Sequence, residues 1–100
     1  MDQRLKLHEE LSAIIGSDHV YYQPPESMKL NYPCMVYKLN RFNVRHADDL
    51  KYIKKREYTV TLIDRDPDSK YVESLESEPR TSFERFYTAN NLNHWVFIVH

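Results

Sequence analysis

A chain of 100 residues makes one domain, because neither half of a divided chain would bury enough surface to offset the entropy of ordering it. With 41% hydrophobic and 13% aromatic residues the composition is that of a folded chain, and 14 Lys and Arg against 15 Asp and Glu leave a formal charge of −1, which excludes a global field that would draw in nucleic acid or an anionic membrane. Cys34, the only cysteine, excludes an internal disulfide framework and a cysteine-rich zinc site within one chain.

The first predicted element is an amphipathic helix from Asp2 to Ile15. Leu7, Leu11, Ile14 and Ile15 recur at i, i+4, i+7 and i+8, with Arg4, Lys6, Glu9, Glu10 and Ser12 on the remaining faces. Asp2 offers an acceptor to the amides at its start, and Gly16, the only glycine, supplies the left-handed residue that ends it. The opening segment MDQRLKLHEE lacks the apolar core of a signal peptide, and no apolar run approaches the roughly 20 residues that span a bilayer, so a soluble chain made in the cytoplasm is expected.

His19 to Tyr22 reads as a short strand, stopped where Pro24 and Pro25 remove ladder donors. Pro24, Pro25 and Pro33 fix φ along what would otherwise be a floppy connection, making it a stiff strap. It leads into a strand from Cys34 to Phe42, with Met35, Tyr37 and Leu39 on one face and Cys34, Val36 and Phe42 on the other. Asn43 to Ile53 loses the period, carries charges of both signs, and reads as a loop or hairpin tip. Alternation resumes from Arg56 to Asp64, with Tyr58, Val60 and Leu62 inward and Glu57, Thr59 and Thr61 outward. Consecutive strands around such a tip pair antiparallel.

Asp66 before Pro67 has the form of a helix cap followed by a first-turn proline, so a second helix is expected to start there, bury Tyr71, Val72 and Leu75, and close at Pro79. Thr81 to Thr88 and His94 to Val99 read as two strands around a turn from Ala89 to Asn93, whose asparagines tolerate left-handed conformations. The expected fold class is α+β: a twisted, mostly antiparallel sheet of about five strands backed by two helices, in the order α-β-β-β-α-β-β.

Reactive chemistry has little to stand on. One glycine cannot build a phosphate loop, and no nucleophile elbow, HExxH or EF-hand spacing occurs. The five histidines fall at no metal-ligand spacing and are expected as surface or hydrogen-bonded side chains, and Cys34 as a small buried apolar residue. Asp64, Asp66 and Asp68 alternate as metal carboxylates do, without the glycine and distal glutamate of a calcium loop, so helix capping is the better account. No catalytic residue, metal or cofactor is expected, and no enzyme. The charges are less uniform. Lys51, Lys54, Lys55 and Arg56 form a basic shoulder after Arg45, His46, Asp48 and Asp49, whereas Asp64, Asp66, Asp68, Glu73 and Glu76 make an acidic patch on a later element. Two readings stand: ordinary solvated surface, or opposite borders suited to a head-to-tail contact that closes a ring.

The strings VYYQPPESMKLNYPCMVYKL, REYTVTLIDRDPDS and FYTANNLNHWVF resemble small virion proteins of long-tailed bacteriophages, the tail-terminator or head-to-tail joining group, over nearly the whole chain. The resemblance implies a small α+β domain that assembles as a ring, usually a hexamer, between tail tube and head connector. It also implies a virion location after synthesis in the host cytoplasm, and as partners other copies of the chain, the tail tube protein and the head connector or head-completion protein. Loops facing the channel and the neighbouring subunit carry contacts in such rings, which directs attention to Asn43 to Ile53 and its basic shoulder. The strap then has two readings, routing the chain past a sheet end or holding an interface in place before docking. The alternative function is a small module binding single-stranded nucleic acid through Tyr21, Tyr22, Tyr32 and Tyr37.

Overall fold

The computed structural model describes residues 3–25, 27–46 and 52–100, with side chains at 4–25, 27–40 and 57–100. Two helices and five strands follow in the expected order: α1 (Gln3–Ile15), β1 (Val20–Tyr22), β2 (Cys34–His46), β3 (Tyr52–Asp64), α2 (Tyr71–Glu76), β4 (Thr81–Ala89) and β5 (Leu92–Val99). The strands form one α+β sheet ordered β1-β2-β3-β5-β4, antiparallel throughout except for the β1–β2 pair.

Strand alternation sets the core. Leu62, Val60 and Tyr58 of β3 lie opposite Met35, Tyr37 and Leu39 of β2 on one side and Trp95, Phe97 and Val99 of β5 on the other. That face is covered by Leu7, Leu11 and Ile15 of α1 and by Leu75 of α2. Gly16 ends α1 at φ +73°, and its amide donates to the Ser12 carbonyl at 2.9 Å, the left-handed closure the sequence anticipates. The proposed cap at Asp2 lies outside the described residues.

The parallel β1–β2 pair gives the strap its structural reason. Parallel neighbours need a long return connection, and the described residues between Tyr22 and Cys34 form no helix in it. The ends of the strap are pinned. Gln23 sits at φ +44°, its amide donates to Tyr37 O at 2.9 Å, and its Oε1 accepts from the Leu39 amide at 3.3 Å. At the other end the ring of His19 approaches the Pro33 carbonyl at 3.2 Å. The Tyr32–Pro33 peptide is cis.

Several boundaries depart from expectation: the last turn narrows to Asn90 and Asn91, with β4 reaching Ala89 and β5 starting at Leu92, and two departures are larger. Asn43 to His46 and Tyr52 to Ile53 continue the β2–β3 ladder instead of forming a loop, with Val44 opposite Lys54 and His46 opposite Tyr52. Neither β1 nor β5 pairs with this stretch, and its sequence carries no apolar alternation from which a strand could be read. The second helix begins at Tyr71, not at Pro67: Asp64 Oδ1 accepts from the Asp66 amide at 3.1 Å and Asp66 Oδ1 from the Asp68 amide at 2.9 Å, and these side-chain turns compete with helical bonding. Asp66 and Asp68 are therefore turn residues and cap no helix.

The β4–β5 hairpin closes on Asn90 and Asn91, at φ +53° and +61°. Two consecutive left-handed residues are what a two-residue hairpin turn of matching twist requires, and asparagine tolerates them. Replacing Asn90 by valine should cost about 1–2 kcal/mol, because a β-branched residue resists that conformation. Equilibrium urea unfolding checks this, and an unchanged midpoint would show that the turn is not holding the hairpin.

Candidate functional site

Three borders of the molecule present groups that can meet a partner. The first is the distal β2–β3 hairpin. β1 pairs with β2 only as far as Tyr37, and β5 pairs with β3 only from Tyr58 onward, so the ladder from Arg41–Glu57 to His46–Tyr52 is a two-stranded arm with no flanking strand among the described residues. The molecule accordingly measures 51 × 26 × 23 Å. Arg45, His46, Lys54, Lys55 and Arg56 belong to this arm by backbone position, while Asp48, Asp49 and Lys51 lie outside the described residues.

The second border is acidic. Asp64 ends β3, twelve residues from Tyr52 and therefore about 40 Å along the strand at roughly 3.3 Å per residue. The turn behind it is fixed: besides the two aspartate-amide bonds, Asn93 Nδ2 donates to the carbonyls of Asp64 and Arg65, both at 3.2 Å. Asp66 and Asp68 are exposed there, and Glu73 and Glu76 are exposed on α2. The five acids thus divide between a rigid turn and a short helix. Lys54, Lys55 and Arg56 stand toward one end of β3 and Asp64 at the other, with Glu57 next to Arg56.

The third border is β4, the outer strand at the side away from β1. Glu84 is an extra residue there, since the register shifts between Phe83–Phe97 and Arg85–Val96. The bulge breaks simple alternation. Phe83 packs edge-on to Phe97 at 5.5 Å and Phe86 lies tilted on Trp95 at 5.3 Å, so both phenylalanines share the helix-side face, yet they remain 51% and 48% exposed. Glu84 and Arg85 line the opposite face with Tyr87, around a shallow depression of about 280 Å³ floored by Thr59, Thr61, Val96 and Ile98. Arg85 lies 5.4 Å from the Tyr87 ring centroid, and that ring stacks on His94 at 4.6 Å.

Glu57 corrects one expectation. Alternation placed it outward, toward water, but it is only 4% exposed. The bulge between Leu39 and Arg41 swings Asn40 over it, Asn40 Nδ2 donates to Glu57 Oε2 at 3.3 Å, and His100 Nδ1 stands 3.5 Å from Glu57 Oε1. His100 Nε2 in turn lies 3.3 Å from Ser82 Oγ. This row of serine, imidazole and carboxylate joins three strands. No local motif marks it, because its members are 18 and 43 positions from His100. Ser82 sits within the β4 ladder opposite Ile98, not at a turn that would aim backbone amides at a reacting oxygen, so the row reads as a tether for the end of β5.

The other singled-out side chains take part in packing, ring contacts or hydrogen bonds. Cys34 is fully buried; burial, and secondarily the Asp64 charge, push its thiol up to about 12. His8 Nδ1 meets Tyr37 Oη at 2.8 Å. Of the tyrosines considered for base stacking, Tyr37 is fully buried and Tyr22 is packed against it at 4.9 Å, under the Arg4 guanidinium. Tyr21 accepts from the Asn31 amide at 3.5 Å, and Tyr32 faces Arg65 at 5.9 Å. No group of three or more metal-ligating side chains occurs among the described residues, and no helix among them is long and apolar enough to cross a membrane. Compared with models of protein families and with curated proteins, the chain matches none.

Proposed function

We propose that the protein is a structural subunit of a bacteriophage virion, acting at the head-tail junction to terminate the tail tube or to join it to the head connector. It works by self-association and by docking on two different virion surfaces. The observation that carries this reading is the projecting arm of β2 and β3, set against an acidic turn at the far end of the same strand. A two-stranded ribbon without a third strand or a covering helix is marginal in water, so an arm of this kind gains its stability from a neighbour. Lys54, Lys55 and Arg56 on the arm and Asp64, Asp66 and Asp68 beyond its other end suit a heterologous contact, in which each copy gives one end and receives the other until a ring closes. The sequence resemblance to tail-terminator and joining proteins supports the same reading, and the strap, pinned at both ends, suits an interface ordered before docking.

The triple variant Lys54→Glu, Lys55→Glu, Arg56→Glu tests it. Its far-ultraviolet circular dichroism should match the wild type while ring assembly, followed by negative-stain imaging and light scattering, is lost. Wild-type assembly in a folded triple variant would remove the arm from the mechanism.

A further inference from the structure

We propose that β4 is a homodimer edge, pairing antiparallel with β4 of a second copy about a two-fold axis between Glu84 and Arg85. The occupant follows from the strand's own order of side chains. An axis at that point sets Glu84 opposite Arg85 of the partner subunit, Phe83 opposite Phe86, Ser82 opposite Tyr87 and Thr81 opposite Thr88, with each pairing repeated by symmetry. Both charged contacts are between opposite charges, and both aromatic contacts are between aromatics.

The faces also agree, and this depends on the bulge. In a regular strand Phe83 and Phe86, three positions apart, would point to opposite faces. The extra residue at Glu84 brings them to the same one, over Phe97 and Trp95, and leaves Glu84 and Arg85 together on the other. Opposed residues in an antiparallel pair must share a face to touch, and across this axis they do. Four half-exposed phenylalanine rings then form a row continuing the aromatic face of β5, with two Glu–Arg pairs on the reverse side.

A bulge with charged residues beside it ordinarily protects an edge from foreign strands. A strand carrying the same bulge at the same position matches that irregularity, so the device that rejects other sequences selects a copy of this one. The arm is not involved, and the contact stands whether or not a ring forms.

Sedimentation velocity on the folded full chain at about 100 µM, a concentration suited to an interface at the small end of the usual range, reads the dimer directly. Glu84→Arg alone sets arginine against arginine and should yield monomer; Arg85→Glu alone sets glutamate against glutamate and should do the same. An equimolar mixture of the two restores opposite charges at both contacts and should regain the wild-type dimer, as should the double swap Glu84→Arg, Arg85→Glu. Independently, Thr81→Cys with Thr88→Cys should give a covalent dimer on mild oxidation, since the two positions are too far apart within one strand to join to each other. The triple variant of the arm leaves β4 intact and should retain the dimer. The proposal is overturned by single variants that dimerise as the wild type does, by a mixture that stays monomeric, or by a cysteine pair that does not crosslink.

Discussion

Tyr37→Ala should lower the stability of the domain by about 3–5 kcal/mol, the range for truncating a large buried aromatic. Tyr37 has no exposed surface, and it is the point where several elements meet. It sits opposite Tyr22 of β1 and Val60 of β3, its ring lies 4.9 Å from that of Tyr22 and 6.1 Å from that of Tyr58, and its hydroxyl reaches His8 of α1. Removal therefore opens a cavity and loosens β1 and α1 together. At about 4–8 °C per kcal/mol for a domain of this size the melting temperature should fall by roughly 12–40 °C. Tyr37→Phe removes only the hydroxyl contact and should cost about 1 kcal/mol. Paired urea unfolding curves separate the two effects, and a Tyr37→Ala variant within about 1 kcal/mol of the wild type would show that the core is centred elsewhere.

Alkaline pH should weaken the fold through Cys34. Its thiol is pushed up to about 12 from an ordinary value of 9.0, chiefly by burial and then by Asp64. The folded protein holds the proton while the unfolded chain releases it above pH 9. The stabilisation is complete below about pH 9 and is lost as pH rises through the folded value, at about 1.4 kcal/mol per pH unit in between. Tyr37, its hydroxyl also raised chiefly by burial and opposed by Arg4, adds a loss of the same sign further up. Between about pH 9 and pH 10 the wild type should therefore lose about 1 kcal/mol more than Cys34→Ala, in which all other titrating groups remain. Equal losses in the two chains would place the Cys34 thiol in contact with water.

The sequence displays its fold where one face of an element is buried. Tyr58, Val60 and Leu62 announce β3 because each points at the helices. Gly16 and the Asn90–Asn91 pair announce their turns because few residues accept left-handed backbone. What stays hidden lacks such a pattern or depends on a distant partner. The arm from Arg41 to His46 lies beyond the ladders with β1 and β5 and carries no apolar period in its sequence. The start of α2 is obscured by Asp64 and Asp66, whose carboxylates satisfy the next amides without a helix. Glu57 becomes a buried residue through a bulge at Asn40 and a histidine 43 positions away. The shared face of Phe83 and Phe86 follows from one extra residue, Glu84, which the strand pattern does not reveal until its register against β5 is known.

If the protein grips copies of itself through complementary ends, as we propose, sedimentation velocity of the wild-type chain, at high concentration and across a series of salt concentrations, will show it. Opposite charges on separate borders predict assemblies larger than a dimer at low salt that dissociate as salt screens the contact. A chain that remains monomeric or dimeric at the lowest salt and highest concentration would contradict it.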